Sequence, residues 1–491
     1  MSVLLLSPGS SCRLTGNFGN SHLVSIGSYL QARTGARVEV IDLAYERFLP
    51  SRDPLRIFSR DFAVVGLSCY SSYDYLTAYY LGREIRERNP GAILVAGGYH
   101  PSSRPGDFLN VPGSELNELS PFDHVVVGEG ELPMARIVAA AARGERLPEK
   151  ILGPEPIDDL DDLPPQQWHL LDRYRDVARS IGGQFNLPFS RGCPFQCSFC
   201  TERVKGESRW RAWSPGRAEE ELLRVHRWLG LEGWKLFIAD AVFGLKPAWR
   251  REMLQRLARL DTGLDKIWTL TRIDLIDTGD VERYQRAGFG IGVGLESGDP
   301  GILALMGKTR NPDAFHGRFR ELAEEAAVVG LPWGANMIVG HPGETEESLE
   351  RSARLVSSLF LGPENPTGLL SVDPFRFYPG SLIDRRRQYY EQTFGARIHR
   401  PRWWNYSEQS FTSEWVDPSA ELDYRQRESA TARLFEPVVQ GIAKRFAYRG
   451  PAVDYFRRSV DRACEDFGPE RRSRTLADYH LWRRLTGQEQ T

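Results

Sequence analysis

The alternation of short, β-branched apolar runs with stretches long enough for a helix constrains this chain more than any other feature, and it runs through the sequence twice. In residues 1–150 the runs are Val3 to Leu6, Val38 to Ile41, Val64 to Ser68, Ile93 to Ala96 and Val125 to Val127, each closed by Gly, Ser or Asp. The segments between them, such as Tyr73 to Arg88, have helical length. This is the pattern of βαβ units in an α/β fold, and it predicts an open, Rossmann-like, doubly wound parallel sheet. From residue 183 the alternation resumes with Phe185 to Ser190, Lys235 to Ala239, Ile267 to Arg272, Ile291 to Glu296, Trp333 to Val339 and Leu369 to Phe377. Helical segments lie between them at Ala218 to Leu229, Trp249 to Leu260, Gly279 to Ala287, His316 to Val329 and Glu344 to Leu359. Six β/α units are too few for a closed eight-fold barrel and predict a partial (β/α)6 barrel over 183–380. The acidic, proline-bearing stretch Ile157 to Pro165 marks residues 151–182 as a linker. Beyond 381, amphipathic stretches near 418–447 and 451–466 predict a mostly helical region over 381–491, with the irregular Arg397 to Ser413 segment capping the substrate end of the barrel.

Charge excludes some function classes. With 63 basic against 65 acidic side chains in 491 residues, the net charge is −2 and creates no field that gathers nucleic acid or an anionic membrane. The Val3 to Leu6 run is too short for a signal-peptide core and no later apolar run approaches a membrane span, so a cytoplasmic protein is expected. Six cysteines in a chain this size are no disulfide framework. Cys12, Cys69 and Cys464 are scattered, whereas Cys193, Cys197 and Cys200 fall within eight positions.

In an open parallel sheet, ligands sit beyond the carboxyl ends of the strands. Those positions of the N-terminal sheet are rich in small residues: Ser7 to Ser11, Ser68 to Ser72, Gly97-Gly98 and Gly128-Glu129-Gly130. Small residues let the backbone approach a flat or phosphate-bearing ligand closely, although ordinary turn chemistry has the same composition. The cysteine triplet follows the first barrel run directly. Three thiolates at x3 and x2 spacing can hold three corners of a 4Fe-4S cubane and leave the fourth iron open for a substrate. A structural zinc site needs a fourth ligand, and a ferredoxin-type carrier needs a fourth cysteine; His169 and His226 are the nearest histidines, each more than twenty residues away.

The segment Cys193-Pro194-Phe195-Gln196-Cys197-Ser198-Phe199-Cys200 resembles the signature of the radical S-adenosylmethionine (SAM) superfamily. Later words resemble the same family in order: Arg272-Ile273-Asp274-Leu275, Gly294-Leu295-Glu296-Ser297-Gly298 with Met306-Gly307-Lys308, and Ile338-Val339-Gly340-His341-Pro342-Gly343-Glu344-Thr345. The resemblance implies a partial barrel in which Cys193, Cys197 and Cys200 hold a 4Fe-4S cluster whose open iron binds SAM. An electron from a reductant such as flavodoxin or ferredoxin then cleaves SAM to a 5'-deoxyadenosyl radical. It further implies Phe199 against the adenine, Ala239, Asp240, Arg272 and Glu296 around the polar parts of SAM, and Gly340 passing close to the adenine.

Residues 1–150 resemble the cobalamin-binding domain that precedes the barrel in cobalamin-dependent radical SAM enzymes. The matching words are Val38-Glu39-Val40-Ile41-Asp42, Val65 to Ser68, Ala96-Gly97-Gly98-Tyr99-His100-Pro101 and Val127-Gly128-Glu129-Gly130-Glu131, and the linker Leu160 to Leu171 resembles that family's linker. Ser68, Cys69, Tyr70, Gly97, Gly98, Gly128 and Glu129 are the implied cobalamin contacts. The D-x-H-x-x-G word by which some cobalamin proteins ligate cobalt is absent, and His22 in Asn20 to Ser25 is its nearest echo, with His100 a weaker one. The resemblance implies methyl transfer to carbon through methylcobalamin. A dehydratase, deoxygenase or cyclase with a cobalamin-free N-terminal domain is the alternative. An RNA methylthiotransferase needs three N-terminal cysteines where only Cys12 and Cys69 stand, and an electron-transfer or zinc scaffold would cleave no SAM. The arginine-heavy composition is associated with bacteria that use such enzymes on small secondary metabolites, such as antibiotics. Trp403, Trp404, Tyr406 and Trp415 are expected either to line a substrate pocket or to pack the open side of the barrel.

Overall fold

The computed structural model describes residues 1–8, 17–46, 48–49, 54–109, 120–206, 208–277, 279–405 and 412–467. Cys12, Tyr406 and most of the Ser7 to Ser11 loop lie outside the described residues. The chain forms two compact units, one of Met1–Pro194, Thr201–Ala241 and Asp261–Leu264, the other of Phe195–Cys200, Val242–Leu260 and Asp265–Thr491.

The first unit is built on parallel strands β1 (Ser2–Ser7), β3 (Arg37–Asp42), β4 (Val64–Ser68), β5 (Ile93–Gly97), β6 (His124–Val126) and β7 (Ile151–Leu152), in the order β3-β1-β4-β5-β6-β7. The Val-Leu-Leu-Leu run of β1 is 0–1% exposed, as a central strand covered on both faces requires. Strand order reverses between β1 and β4, which opens a crevice at their carboxyl ends. A short strand that the sequence pattern does not announce, β2 (Asn17–Phe18), pairs in parallel with β8 (Gln184–Leu187), the first barrel strand. On its other side β8 pairs with β11 (Lys235–Ile238). The run expected over Phe185 to Ser190 is broken: Pro188 donates no ladder hydrogen bond, and the chain restarts as β9 (Ser190–Arg191), antiparallel to β10 (Arg211–Ala212). The linker holds 3-10 turns at Leu160–Asp162 and Trp168–Tyr174 and a short helix at Arg175–Ile181. Buried Tyr174 ties it down by donating to Glu46 at 2.6 Å and accepting from the Asp42 amide at 2.9 Å.

The second unit carries β12 (Lys266–Thr271), β13 (Phe289–Glu296), β14 (Trp333–Val339) and β15 (Gly368–Pro374), all parallel and ordered β15-β14-β13-β12. One face packs on helices, with Trp333 stacked on Phe360 at 4.7 Å. The other face carries Gly290, Gly292 and Gly294 on β13. A side chain at Gly290 would start 2.5 Å from the Trp268 ring, and one at Gly292 would start 2.5 Å from Leu270, so β12 folds its large residues over the glycine row. Helix starts are set by polar caps followed by proline: Ser214 before Pro215–Leu229, Asp299 before Pro300–Leu305 and Asn311 before Pro312–Val329. The Tyr424–Arg445 helix packs on Glu346–Leu361, and the strongly amphipathic Val453–Glu465 helix sets Phe456 against Trp268 at 5.6 Å. Trp403 and Trp404 are fully buried, and Trp415 is 2% exposed, so these aromatics serve as core.

Lys266, at the start of β12, is buried against Tyr448 and Phe456, with its ammonium 3.1 Å from the Tyr448 hydroxyl and over both rings. Burial pulls its pKa from 10.5 down to about 8. The folded state therefore carries the full penalty below pH 8, where folded and unfolded chains are both charged, and the penalty is relieved as pH rises towards 10.5. Lys266→Met is expected to raise stability at neutral pH by roughly 1 to 3 kcal/mol. In denaturant titrations across pH 7 to 10.5, its advantage over the wild type should shrink.

Candidate active site

In the first unit, the carboxyl ends of β4, β5 and β6 open into a cleft that encloses about 1430 Å³ including its mouth. Ser68 and Tyr70 after β4, Gly97 and Gly98 at the end of β5, and Gly128 and Glu129 after β6 line it. Pro188 to Arg191 and Ala239, at the ends of β8 and β11, line it too. The glycines have separate reasons. Gly98 has φ 120°, and a Cβ there would lie 2.4 Å from the Cys69 carbonyl oxygen. A Cβ at Gly97 would meet nothing nearer than Val126 at 4.0 Å, so its bareness leaves room in the cleft. Tyr70, 45% exposed, stands between the rings of His22 and Tyr99, each 5.2 Å away, and gives the cleft a flat aromatic wall. His22 brings Nε2 to 3.3 Å from the Ser68 hydroxyl. Cys69 is not part of the lining. It is fully buried, its thiol donates to the Ser71 carbonyl at 3.3 Å, and burial pushes its pKa up.

A network of charges forms one side of this cleft. Arg191 donates to Glu129 at 3.1 Å, to Glu131 at 2.7 Å and to Ser25 at 3.0 Å. Arg211 reaches Glu129 at 2.5 Å, and Ser25 donates to Glu131 at 2.6 Å. Burial alone would raise the Glu129 pKa, but Arg191 and Arg211 hold it below the usual carboxylate range. Arg191 is only two positions before Cys193 in sequence, so a residue fixed to the cleft leads into the cysteine loop.

Asp240, at the end of β11, spends both oxygens within its own unit. It accepts from the Phe189 and Ser190 amides at 2.7 and 2.9 Å and from the Ser190 hydroxyl at 2.6 Å. Burial pushes its carboxyl up to about 7 against those three bonds. Asp240 thus braces the Phe189 to Arg191 segment.

In the second unit, Cys197 is half-buried and Cys200 exposed. Arg272, at the end of β12, lies with its guanidinium 3.7 Å over the Phe195 ring and 3.9 Å from the Cys197 sulfur. Asp274 and the Lys308 carbonyl hold it there at 2.7 and 2.6 Å. Glu296, at the end of β13, has φ 65° and is ion-paired with Lys308 at 2.7 Å. A side chain at Gly294 would collide with that pair. Gly340 has φ 89°, and Arg427 of the C-terminal region packs where its Cβ would be. Sequence reasoning missed Asn336 on β14, in register with Ser371 on β15, and Ser371 donating to Asp373 at 2.8 Å. Their signal is faint but present: polar residues at the parity that faces away from the helices, in otherwise apolar strands.

Comparison with known proteins assigns these parts. The model of the radical SAM superfamily matches residues 187–356, and that of the B12 binding domain matches residues 15–138. The chain thus contains both a radical SAM domain and a B12-binding domain. An uncharacterized methyltransferase of Pyrococcus horikoshii is 28% identical over 313 residues, 60% of this chain and 64% of that protein. The anaerobic magnesium-protoporphyrin IX monomethyl ester cyclase of a Synechocystis species is 27% identical over 337 residues, 65% of each chain. The chain therefore spans just under two thirds of the length of these relatives. The solved structure of the cobalamin-dependent SAM radical enzyme OxsB with aqua-cobalamin superposes with a TM-score of 0.66 at 15% identity, covering 95% of this chain and 72% of that one. The fold class is thus α/β, with a doubly wound parallel sheet, a partial barrel and a largely helical C-terminal region. Among the described residues no helix is long and apolar enough to cross a membrane.

A radical SAM domain implies a 4Fe-4S cluster and SAM as cofactors, and a B12-binding domain implies cobalamin. The residues present fit them. Among the described residues no three His, Cys, Asp or Glu side chains stand grouped as for a metal ion, so the fit rests on donor chemistry: three thiols at x3 and x2 spacing in one segment, with the Arg272 guanidinium 3.9 Å from the Cys197 sulfur, suit a cluster that carries negative charge on its thiolates. The cleft's bare Gly97 wall and aromatic Tyr70 wall suit a broad flat molecule. Gly97→Leu fills that wall without touching the core. It is expected to keep the thermal midpoint of the wild type while lowering retained corrin absorbance by about tenfold after incubation with cobalamin and desalting.

Proposed function

We propose that the protein is a cobalamin-dependent methyltransferase acting on an unactivated carbon of a small-molecule substrate. The observation that carries this reading is the open, glycine-lined cleft at the sheet's carboxyl edge, joined through Arg191 to a loop of three cysteines. When bound, the cluster and SAM supply a 5'-deoxyadenosyl radical and cobalamin supplies a methyl group.

The residues divide the work. Cys193, Cys197 and Cys200 hold the cluster. Arg272 offers N–H donors to the Cys197 sulfur, and Phe199 lies within the same loop for the adenine. The Glu296–Lys308 pair presents a carboxylate and an ammonium for the polar groups of SAM. Asp240 acts through the backbone of Phe189 and Ser190. Ser68, Tyr70, Gly97, Gly98, Gly128 and Glu129 form the corrin site. Asn336, Ser371 and Asp373 offer hydrogen-bonding groups to a substrate. The helical region from 381 onward is the substrate-capping part of the chain, and the boundaries 1–150, 151–182 and 183–380 are the functional domains that precede it. The near-zero net charge supports a small neutral or zwitterionic substrate over a nucleic acid. A flavodoxin or ferredoxin serves as electron donor, in the cytoplasm.

The likeness to the magnesium-protoporphyrin ester cyclase favours a second reading, radical cyclisation without methyl transfer. The two separate without knowledge of the substrate. Reconstituted protein with SAM and a strong reductant should form S-adenosylhomocysteine only when cobalamin is present, alongside 5'-deoxyadenosine. Formation of 5'-deoxyadenosine alone, with corrin bound, would exclude methyl transfer. A further expectation concerns Arg272. A cation near a thiolate favours the reduced cluster, so Arg272→Met should move the midpoint potential to more negative values in an EPR-monitored titration, while Arg272→Lys moves it less.

A further inference from the structure

Ser198, between Cys197 and Cys200, is fixed at every polar atom it owns. Its amide donates to the Met306 carbonyl at 2.8 Å, and its carbonyl accepts from the Ile383 amide at 3.2 Å. Its hydroxyl lies 2.9 Å from His341 Nε2. His341 follows β14 and is fully buried. Its Nδ1 is 2.8 Å from the Pro342 carbonyl, an atom that only accepts, so Nδ1 carries the proton and Nε2 is left as an acceptor for the Ser198 hydroxyl. Phe375 at 5.7 Å and Tyr390 at 6.1 Å meet the ring edge-to-face.

We propose that His341 is a positioning residue for the cluster: through its hydrogen bond to Ser198 it fixes the turn from which Cys197 and Cys200 present their sulfurs. The inference rests on the reading of the three cysteines as cluster ligands. The physical case is one of leverage. Cys200 is exposed and the Cys197–Cys200 segment is a short turn closed by a single 3.2 Å bond from the Cys200 amide to the Cys197 carbonyl. Such a turn has little packing of its own to hold two thiolates at the spacing of two irons. Only Ser198 in it is buried, at 1% exposure, and its side chain reaches His341 just beyond the end of β14. Burial disfavours a charged imidazole, so the acceptor on Nε2 is present throughout the neutral range. An acceptor that stays uncharged holds the loop without adding a positive charge beside the cluster, leaving that role to Arg272. Outer contacts of this kind orient ligating residues, and their loss commonly costs ten-fold or more in metal retention.

The test uses the full-length reconstituted protein. Gln places a carbonyl oxygen where Nε2 stood and can accept the same hydrogen bond; Phe fills the space and cannot. His341→Phe and Ser198→Ala are expected to release iron to a chelator about tenfold faster than the wild type, with an altered EPR spectrum of the reduced cluster. His341→Gln should stay near the wild type in both, and the double variant S198A/H341F should be no worse than either single change. Wild-type release rates and spectra in H341F and S198A overturn the inference. So does a Gln variant as poor as the Phe variant, since that marks a packing role only. Should H341F fail to fold, unchanged release in S198A is sufficient to overturn it. A wild-type protein that retains no iron after reconstitution overturns the cysteine assignment itself, a failure distinct from that of the clamp.

Discussion

Parallel strands with both faces covered leave one place for chemistry, the loops that follow their carboxyl ends. Most of the residues assigned to the candidate site obey that constraint; Asn336 and Ser371, within β14 and β15, do not. In the first unit the faces of β1 and β4 are sealed, and the open positions are Ser68, Tyr70, Gly97, Gly128 and Glu129, each within a few residues of a strand end. In the second unit Arg272, Glu296 and Gly340 occupy the same place on β12, β13 and β14. The sheet interiors contribute rigidity, and most of the residues named for chemistry sit at or just beyond the last ladder pairs, such as Ser68 with Gly97 and Glu296 with Met337.

A partly buried guanidinium, Arg191, turns that geometry into a connected site. Arg191 with Glu129 and Glu131 takes three charges out of water, an arrangement that is costly unless every lone pair finds a donor. Here Glu129 is met by Arg191, Arg211 and the Ile157 amide, and Glu131 by Ser25 and Arg191. Such a network is weak evidence for stability but strong evidence for fixed geometry, because displacing any member strands another. The strand that leads into the cysteine loop is thereby registered against the cleft-lining loop after β6. Asp240 does the same from the other side, clamping Phe189 and Ser190 by three hydrogen bonds.

Much of this was legible in the sequence because periodicity and spacing carry it. Val64–Ser68 and Trp333–Val339 fall where their apolar runs place them, since a covered parallel strand is written as an unbroken β-branched stretch. Helix starts were less legible. Pro215–Leu229 and Pro312–Val329 begin three and four residues before the expected Ala218 and His316, because the apolar periodicity begins later than the Ser214 and Asn311 caps. Roles inside the site were least legible. The position of Asp240 suggested a ligand contact, but its oxygens meet backbone amides, and Cys69 lies behind the wall that Ser68 and Tyr70 form. A motif places a residue at a strand end; it does not say which of two adjacent residues turns inward, because that depends on φ and on neighbours distant in sequence. The Ser198–His341 contact, 143 positions apart, is of that kind.

The demand that organises the second unit is dryness. A primary carbon radical attacks whatever C–H bond or water lies nearest, so the space around it has to be closed before it forms. The row Gly290, Gly292, Gly294 makes one strand of the lumen face bare, and Trp268 and Leu270 fill the first two of those gaps. Phe456 and Tyr448 then pack on Trp268 and Lys266 at the amino-terminal ends of the strands. The apolar material is thus concentrated at the amino-terminal half, whereas Glu296, Lys308, Asn336, Ser371 and Asp373 occupy the carboxyl-terminal half of the same face. That gradient from sealed to polar along four strands explains why a lysine is tolerated at position 266 only in an aromatic enclosure and at a depressed pKa. At that end of the lumen face water is already excluded, and a charge has nothing else to meet.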